Sequence, residues 1–240
     1  MRNTALTILL AGGNRRAFRF QVVPTPGQTL SLAVERHNVA LDAVTWVWPD
    51  GTMSTGDSVS KLFPVAGAQW VTLRVPQASN LRSINFASQP VRFSLAQVRR
   101  YTALQRIDAH NHASTVITGT LADLPATMQI LYLHNTASVI TGGGSVGATA
   151  LRDLRINELG LSTAQVDEII NSIWASRNAF TYTSNIRLDI HGTNGAPTGT
   201  VANVCPPTTP AEKLYNLRHV QCGGDTHKPW SPITFTGGAL

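Results

Sequence analysis

His110-Asn111-His112-Ala113-Ser114-Thr115-Val116-Ile117-Thr118-Gly119 returns, one residue shorter, as His134-Asn135-Thr136-Ala137-Ser138-Val139-Ile140-Thr141-Gly142. A short apolar pattern stands ahead of each copy: Leu104, Ile107 and Ala109 before the first, Met128, Leu131 and Leu133 before the second. The same offsets recur at Leu81, Ile84 and Phe86, and at Leu151, Leu154 and Ile156, where Asn157 follows. The four starts, near 81, 104, 128 and 151, are 23, 24 and 23 residues apart. One such unit cannot bury its apolar side alone, so neighbours must stack into a shared core, and three or more are needed. Both ends of the stack then require covers.

The far cover is legible. Ser162-Thr163-Ala164-Gln165 is a capping-box pattern, with Val166, Ile169, Ile170, Ile173 and Trp174 on one face behind it, so a helix is expected near 163–178. Ile186, Leu188 and Ile190 read as a strand, followed by a turn-rich stretch in which Asn194-Gly195 is a turn and a candidate deamidation site, nothing more. Thr209-Pro210-Ala211-Glu212 is a second capping box with Pro at the first helical position, giving a helix near 210–217. Val220 and Cys222 read as a final strand before a Gly- and Pro-containing tail.

The near cover is residues 1–79, which read as all-β. Thr4–Leu10 is an apolar run, read as a first strand rather than a signal peptide because it is short, broken by Thr7 and followed by Arg15-Arg16. Phe18, Phe20 and Val22 alternate with polar residues, as do Leu30, Leu32 and Val34, and Val44, Trp46 and Trp48. Pro49-Asp50-Gly51 is a strong turn signal, and Trp70–Val75 closes the series. Short strands punctuated by turns predict a β-sandwich.

Two families are similar to these stretches. The repeat period with apolar residues at 0, +3 and +5 and then Asn resembles leucine-rich repeats. Val44–Thr52, then Ser54-Thr55-Gly56, Phe63, Ala66-Gly67 and Val71-Thr72-Leu73, resembles a PKD-type immunoglobulin-like domain, with Pro49 standing where that family usually has Gly. The segment from Leu161 to Gly199 resembles the closing unit of short repeat proteins encoded by tailed bacteriophages and prophages, and the order of the two parts is similar to that group as well. The expected fold class is therefore mainly β with minor α: an N-terminal PKD-like sandwich over 1–79, then a leucine-rich-repeat-like solenoid over 80–240 with a helical cap.

Composition narrows the function. The chain has 240 residues, 42% of them hydrophobic but only 13% charged, about half the usual share of roughly 25%. A surface built from Ser, Thr, Asn and Gln suits an extracellular or virion exterior. The net charge is +6, yet the arginines are scattered with no basic run, so no nucleic-acid partner is expected. No eighteen-residue apolar window exists, so no membrane span is expected. Cys205 and Cys222 give neither a disulfide framework nor zinc spacing. Two free thiols are the favoured reading, with a pair between them the alternative.

His110 and His134 fall at equivalent positions one rung apart, about 5 Å, and could share a metal, but no Cys, Asp or Glu is read as recurring beside them. A solvent-facing polar ladder is preferred, with Asn111 and Asn135 bonding backbone at the turn. Gly142-Gly143-Gly144 lacks the Lys-Ser/Thr of a P-loop and reads as a repeat turn. Asp50 reads as an Asx-turn former rather than a calcium ligand. At least three of Trp46, Trp48, Trp70 and Trp174 belong to cores, whereas Trp230, between prolines 229 and 232, is expected to be exposed. No nucleophile, base and orienter can be assembled, so no catalytic, cofactor or metal residues are expected.

The resemblance implies a non-enzymatic structural protein of a tailed-phage virion, made in the host cytoplasm and carried on the virion surface. A compact chain without coiled coil suits capsid decoration on the outer head better than a long fibre. Its partners would be the major capsid protein or tail proteins, with self-association under capsid symmetry. The alternative is a tail-tip or cell-surface adhesion module that binds glycan or protein through the repeat face.

Overall fold

The computed structural model describes residues 17–39, 43–182, 186–219, 222, 227 and 229–240. The strand expected at Thr4–Leu10, and Val220, lie outside them. The elements in chain order are β1 (Ala17–Val22), β2 (Gln28–Arg36), β3 (Thr45–Val47), β4 (Met53–Thr55), β5 (Ser58–Phe63), β6 (Gln69–Arg74), β7 (Leu81–Asn85), β8 (Val91–Ser94), β9 (Arg106–Asp108), β10 (Val116–Thr120), β11 (Ile130–Tyr132), β12 (Val139–Thr141), β13 (Asp153–Arg155), α1 (Thr163–Ser176), β14 (Ile186–Ile190), α2 (Pro210–His219), β15 (Trp230–Phe235) and β16 (Gly238–Ala239). The chain is mainly β.

The strands form two mixed sheets. The seven-stranded sheet has the order β12-β10-β8-β1-β6-β3-β4, and the nine-stranded sheet β16-β15-β14-β13-β11-β9-β7-β2-β5. Both begin antiparallel and become parallel further on. In the larger sheet, β2 pairs antiparallel with β5 and β7, and β7 then pairs parallel with β9. In the smaller, β1 pairs antiparallel with β6 and β8, and β8 then pairs parallel with β10.

This overturns the expected leucine-rich-repeat solenoid fused to a separate sandwich. Both sheets run across position 79 unbroken, and so does the core. Phe20 of β1 lies 4.7 Å, ring to ring, from Phe86, and Phe18 stacks on the same ring at 6.5 Å. The second leg of the first three repeats is a strand, β8, β10 or β12, laid into the smaller sheet, and that of the fourth is α1. The Val-Ile-Thr of each repeated copy is that strand, with Ile117 and Ile140 fully buried. The +3, +5 step is the alternation of any strand with one buried face, so the spacing alone did not select the family.

The larger sheet keeps strict register. Ile84, Ile107, Leu131, Leu154 and Leu188 are successive Cα partners and all fully buried. Leu81, Leu104, Met128 and Leu151 bury the row before them. The helices do not cap this stack. The larger sheet continues past β13 into β14, β15 and β16, so the tail is the final strand pair. The helices instead extend the smaller sheet's layer beyond β12, with α1 beside β12 and α2 between α1 and β15. A Cβ at Gly142 would sit 2.1 Å from Ser172 Oγ and 2.3 Å from the Glu168 carbonyl of α1, so glycine lets the strand end meet the helix backbone. Both helix starts are fixed by side chains. Ser162 Oγ accepts from the Gln165 amide at 3.3 Å while Gln165 Oε1 accepts from the Ser162 amide at 2.9 Å. Thr209 and Glu212 exchange the same pair of bonds.

Trp230 is fully buried, its ring 5.2 Å from Phe180, because the tail is a strand with an inward face. Trp46 and Trp48 are core residues and Trp174 packs partly buried against the core, but Trp70 is 49% exposed. Cys205 and Cys222 are joined by a disulfide, not free, with Cα atoms 5.3 Å apart. No described helix is long and apolar enough to cross a membrane.

Candidate functional site

Successive strand side chains alternate, so the residues flanking each buried rung centre point outward. On the larger sheet these are Arg106 and Asp108, Ile130 and Tyr132, Asp153 and Arg155, Arg187 and Asp189, with Thr234 opposite Asp189 on β15. Two positions on stand His110, His134, Asn157 and His191. Together they make one polar face.

Charges on this face are paired within it. Arg106 Nη2 donates to Asp108 Oδ2 at 2.7 Å, and Arg187 Nη2 to Asp189 Oδ2 at 3.3 Å. Arg155 holds both oxygens of Asp153, at 3.1 and 3.0 Å. The second oxygen of Asp108 meets His110 Nδ1, and that of Asp189 meets His191 Nδ1. Thr234 adds a hydroxyl donor to Asp189 at 2.6 Å. The Asp108 and Asp189 side chains are only 6% and 7% exposed, so their charges require these partners. Burial works against ionisation of Asp189, but the bonds from Thr234 and His191 and the nearby Arg187 outweigh it and lower its pKa.

At the centre, Tyr132 donates to Asp153 Oδ2 at 2.6 Å. Guanidiniums from the two flanking strands stack on its ring, Arg155 at 4.3 Å and Arg106 at 5.2 Å. Burial and the bond to Asp153 raise the phenol's pKa.

The structure brings His110 and His134 together as expected from the sequence, with rings stacked 4.4 Å apart and 16° from parallel. Parallel rings direct their nitrogens side by side rather than at one point. His134 Nδ1 is buried with no partner among the described residues. Burial first, and then the His110 and Arg155 charges, lower the His134 pKa. Among the described residues no group of three or more His, Cys, Asp or Glu is placed to hold a metal. His112 stands apart, its Nδ1 accepting from the Ser114 amide at 3.1 Å.

Asn111 and Asn135 bond each other rather than backbone, Asn135 Nδ2 donating to Asn111 Oδ1 at 2.8 Å. Asp50 Oδ1 accepts from the Thr52 amide at 3.0 Å, an Asx turn. The Lys61 ammonium, bonded at 2.8 Å, and the Thr52 hydroxyl hold the Asp50 carboxyl well below the usual carboxylate range. Gly142-Gly143-Gly144 lies against α1, where the Gly143 amide donates to Glu168 Oε1 at 3.0 Å.

Sequence reasoning missed the carboxylates of the face. Arg106-Ile107-Asp108-Ala109-His110 and Arg187-Leu188-Asp189-Ile190-His191 are the same pattern, Arg and Asp and His alternating with buried residues. The signal was present, but the 34-residue step from β13 to β14, which admits α1, breaks the period that would have aligned the two copies. No family model matches the chain, and neither a curated protein nor a solved structure does.

Proposed function

We propose that this chain acts by binding, as a non-enzymatic structural protein of a tailed-phage virion, a decoration of the outer head surface that docks through the polar face of its nine-stranded sheet. The observation that carries the reading is the Arg106–Tyr132–Arg155 stack. Arg and Tyr are the residues that most often anchor interfaces. Here ion pairs and ring contacts order them beforehand, so docking would cost little further side-chain entropy. Both signs of charge are interleaved across the face, which suits a partner of matching pattern and disfavours others. The phage reading comes from the likeness of the Leu161–Gly199 stretch, and of the order of the two parts, to phage-encoded repeat proteins, and the head placement from a compact chain without coiled coil or long fibrous repeat. The Cys205–Cys222 disulfide fits an oxidising exterior.

The test is to purify intact particles from an infected culture and quantify the chain. A high copy number on the head is expected, with release to the unbound fraction when Arg106→Glu and Arg155→Glu are combined. Absence from washed particles overturns the placement. Retention of the folded double variant overturns the face.

Adhesion is the second reading. Both guanidiniums occupy the Tyr132 ring, so this face offers no open aromatic surface to a sugar. A groove on the other sheet does.

A further inference from the structure

We propose that the outer face of the seven-stranded sheet carries a binding site for one acidic sugar unit, a saccharide ring bearing a carboxylate. The site is a groove of about 240 Å³, lined among others by Arg19, Gln21, Trp70, Arg92, Ser94 and Gln97. Its origin is in the strand register. Gln21 of β1 pairs with Trp70 of β6 on one side and with Arg92 of β8 on the other. The β1–β8 ladder ends at that pair, while β1 continues along β6 to Ala17, and the groove lies where the two strands part.

Charge identifies the occupant. None of the seven strands contains Asp or Glu, yet they carry Arg19, Arg74 and Arg92, all exposed. The contrast with the other sheet is sharp, because Arg106, Arg155 and Arg187 there each hold a carboxylate. Among the described residues Arg19 and Arg92 make no ion pair or hydrogen bond, and Arg19 only stacks on Trp70 at 4.9 Å. Two unspent guanidiniums diagonal across adjacent strands, about 7–8 Å apart at the backbone, suit a carboxylate, which the planar fork binds bidentately.

The other walls suit a hydroxylated ring. Gln21, Gln97 and Ser94 supply amides and a hydroxyl. Gln97 Oε1 is shielded and has no donor among the described residues, so it is placed to accept from an occupant's hydroxyl. Trp70 leaves part of its indole open beside them, an apolar surface for the C–H face of a sugar. The volume is below the roughly 300–1,000 Å³ of pockets for drug-sized ligands, which limits the occupant to about one ring. A saccharide chain would enter by one residue, and the affinity of one copy would be weak. Many copies on a particle would multiply it.

The test uses the full chain, with galacturonic acid trimer as probe, neutral maltotriose as control, and acetate and an acidic peptide as competitors. Saturation-transfer NMR and calorimetry are expected to show the trimer binding and maltotriose not binding. Arg92→Ala and Trp70→Ala should each weaken binding tenfold or more, and Arg92→Lys should restore part of it. Both positions are exposed, and circular dichroism checks that the variants fold. Three results overturn the proposal: no binding of the acidic trimer, binding unchanged in folded Arg92→Ala, or equal competition by acetate or by the peptide, which would mark a general anion or protein site. Particle association of Arg92→Ala, read in parallel, keeps this site distinct from the docking face on the opposite sheet.

Discussion

Asn111 and Asn135 stand one above the other with left-handed backbones, φ 60° and 56°, and the side-chain amide of Asn135 donates to the oxygen of Asn111. They belong to a longer column. Ser88, Glu158 and Gly192 hold the equivalent place on the neighbouring rungs, with φ of 59°, 58° and 86°. Each rung's amide there donates to the next rung: Ser88 to the His110 carbonyl at 2.7 Å, Asn111 to His134 at 3.0 Å, Asn135 to Asn157 at 3.2 Å, and Glu158 to His191 at 3.1 Å. The left-handed turn is how the chain leaves one sheet for the other while keeping the ladder intact.

Residue type at this column should therefore set stability with opposite signs at different rungs. A left-handed conformation costs an ordinary L-residue about 1–2 kcal/mol, and Asn or Gly less. Asn135→Ala is expected to destabilise by about 1–2 kcal/mol, the strain adding to the lost side-chain bond. Ser88→Asn or Ser88→Gly should be neutral or stabilise by up to about 1 kcal/mol, because Ser88 is exposed and already bears the strain. Urea denaturation of the three variants measures it. A stabilised Asn135→Ala would contradict the account.

Asn194, read from the sequence as an ordinary turn residue, is a buried bracket. Its Oδ1 accepts from the amides of Leu159 and Leu161 at 3.2 and 3.0 Å, and its Nδ2 donates to the carbonyls of Ile156 and Ile190 at 2.8 and 3.0 Å. It thereby ties the chain entering α1 to the end of β14. Asn194→Ala leaves four backbone groups short of a partner in a site that is 3% exposed. At about 1–3 kcal/mol for a buried group left unsatisfied, with some relief from water, a loss of about 3 kcal/mol is expected. Asn194→Asp should cost at least as much near pH 7, because it keeps the acceptor but sets a buried carboxylate oxygen against the Ile156 and Ile190 carbonyls. Thermal unfolding of both variants gives the comparison.

What the sequence could show was local. Ser162/Gln165 and Thr209/Glu212 announced their helices, because a capping box is written in four consecutive residues. The rung residues Ile84, Ile107, Leu131 and Leu154 were readable because burial in a parallel stack repeats at a fixed step. The partners of those elements were not readable. β2 meets β7 across some fifty residues, and no local pattern records that pairing. The layer built from β8, β10 and β12 was hidden because strands of three to five residues carry too little alternation to stand out from a turn. The face was half legible: His110 and His134 fell on the repeat, but Asp108 and Asp189 differ in rung spacing. Arg19, Trp70 and Arg92, from three strands, share a groove that only the sheet order assembles.

The Cys205–Cys222 bond closes a 17-residue span that contains α2. A loop of that size is worth about 3 kcal/mol in the chain-entropy account. Reduction, or Cys205→Ser with Cys222→Ser, should lower the unfolding temperature. The loss should fall on α2 first, with faster hydrogen exchange at Leu214 and Leu217 and little change at Ile107 or Leu131, which the sheet ladder protects. Uniform acceleration across the whole chain would show instead that α2 and the sheets open as one unit.

The His134 and Asp189 shifts make stability fall in two pH windows. The folded protein holds the His134 imidazole pKa below 6.5, through burial and the adjacent His110 and Arg155, with Asp108 and Asp189 opposing. As pH drops, the unfolded chain therefore takes up this proton first, and the group's contribution is lost from about 6.5 downward. Asp189 has the usual carboxylate sign, its folded pKa lying below 3.8, so its contribution is present above that value and lost as pH falls through it and beyond. The difference in urea midpoint between wild type and His134→Asn isolates the first step from the other histidines. It should shift in favour of the variant between pH 7.5 and 5, whereas Asp189→Asn should narrow its deficit to wild type only below about pH 4. A wild-type minus His134→Asn difference that stays constant from pH 7.5 to 5 would remove His134 as the titrating group.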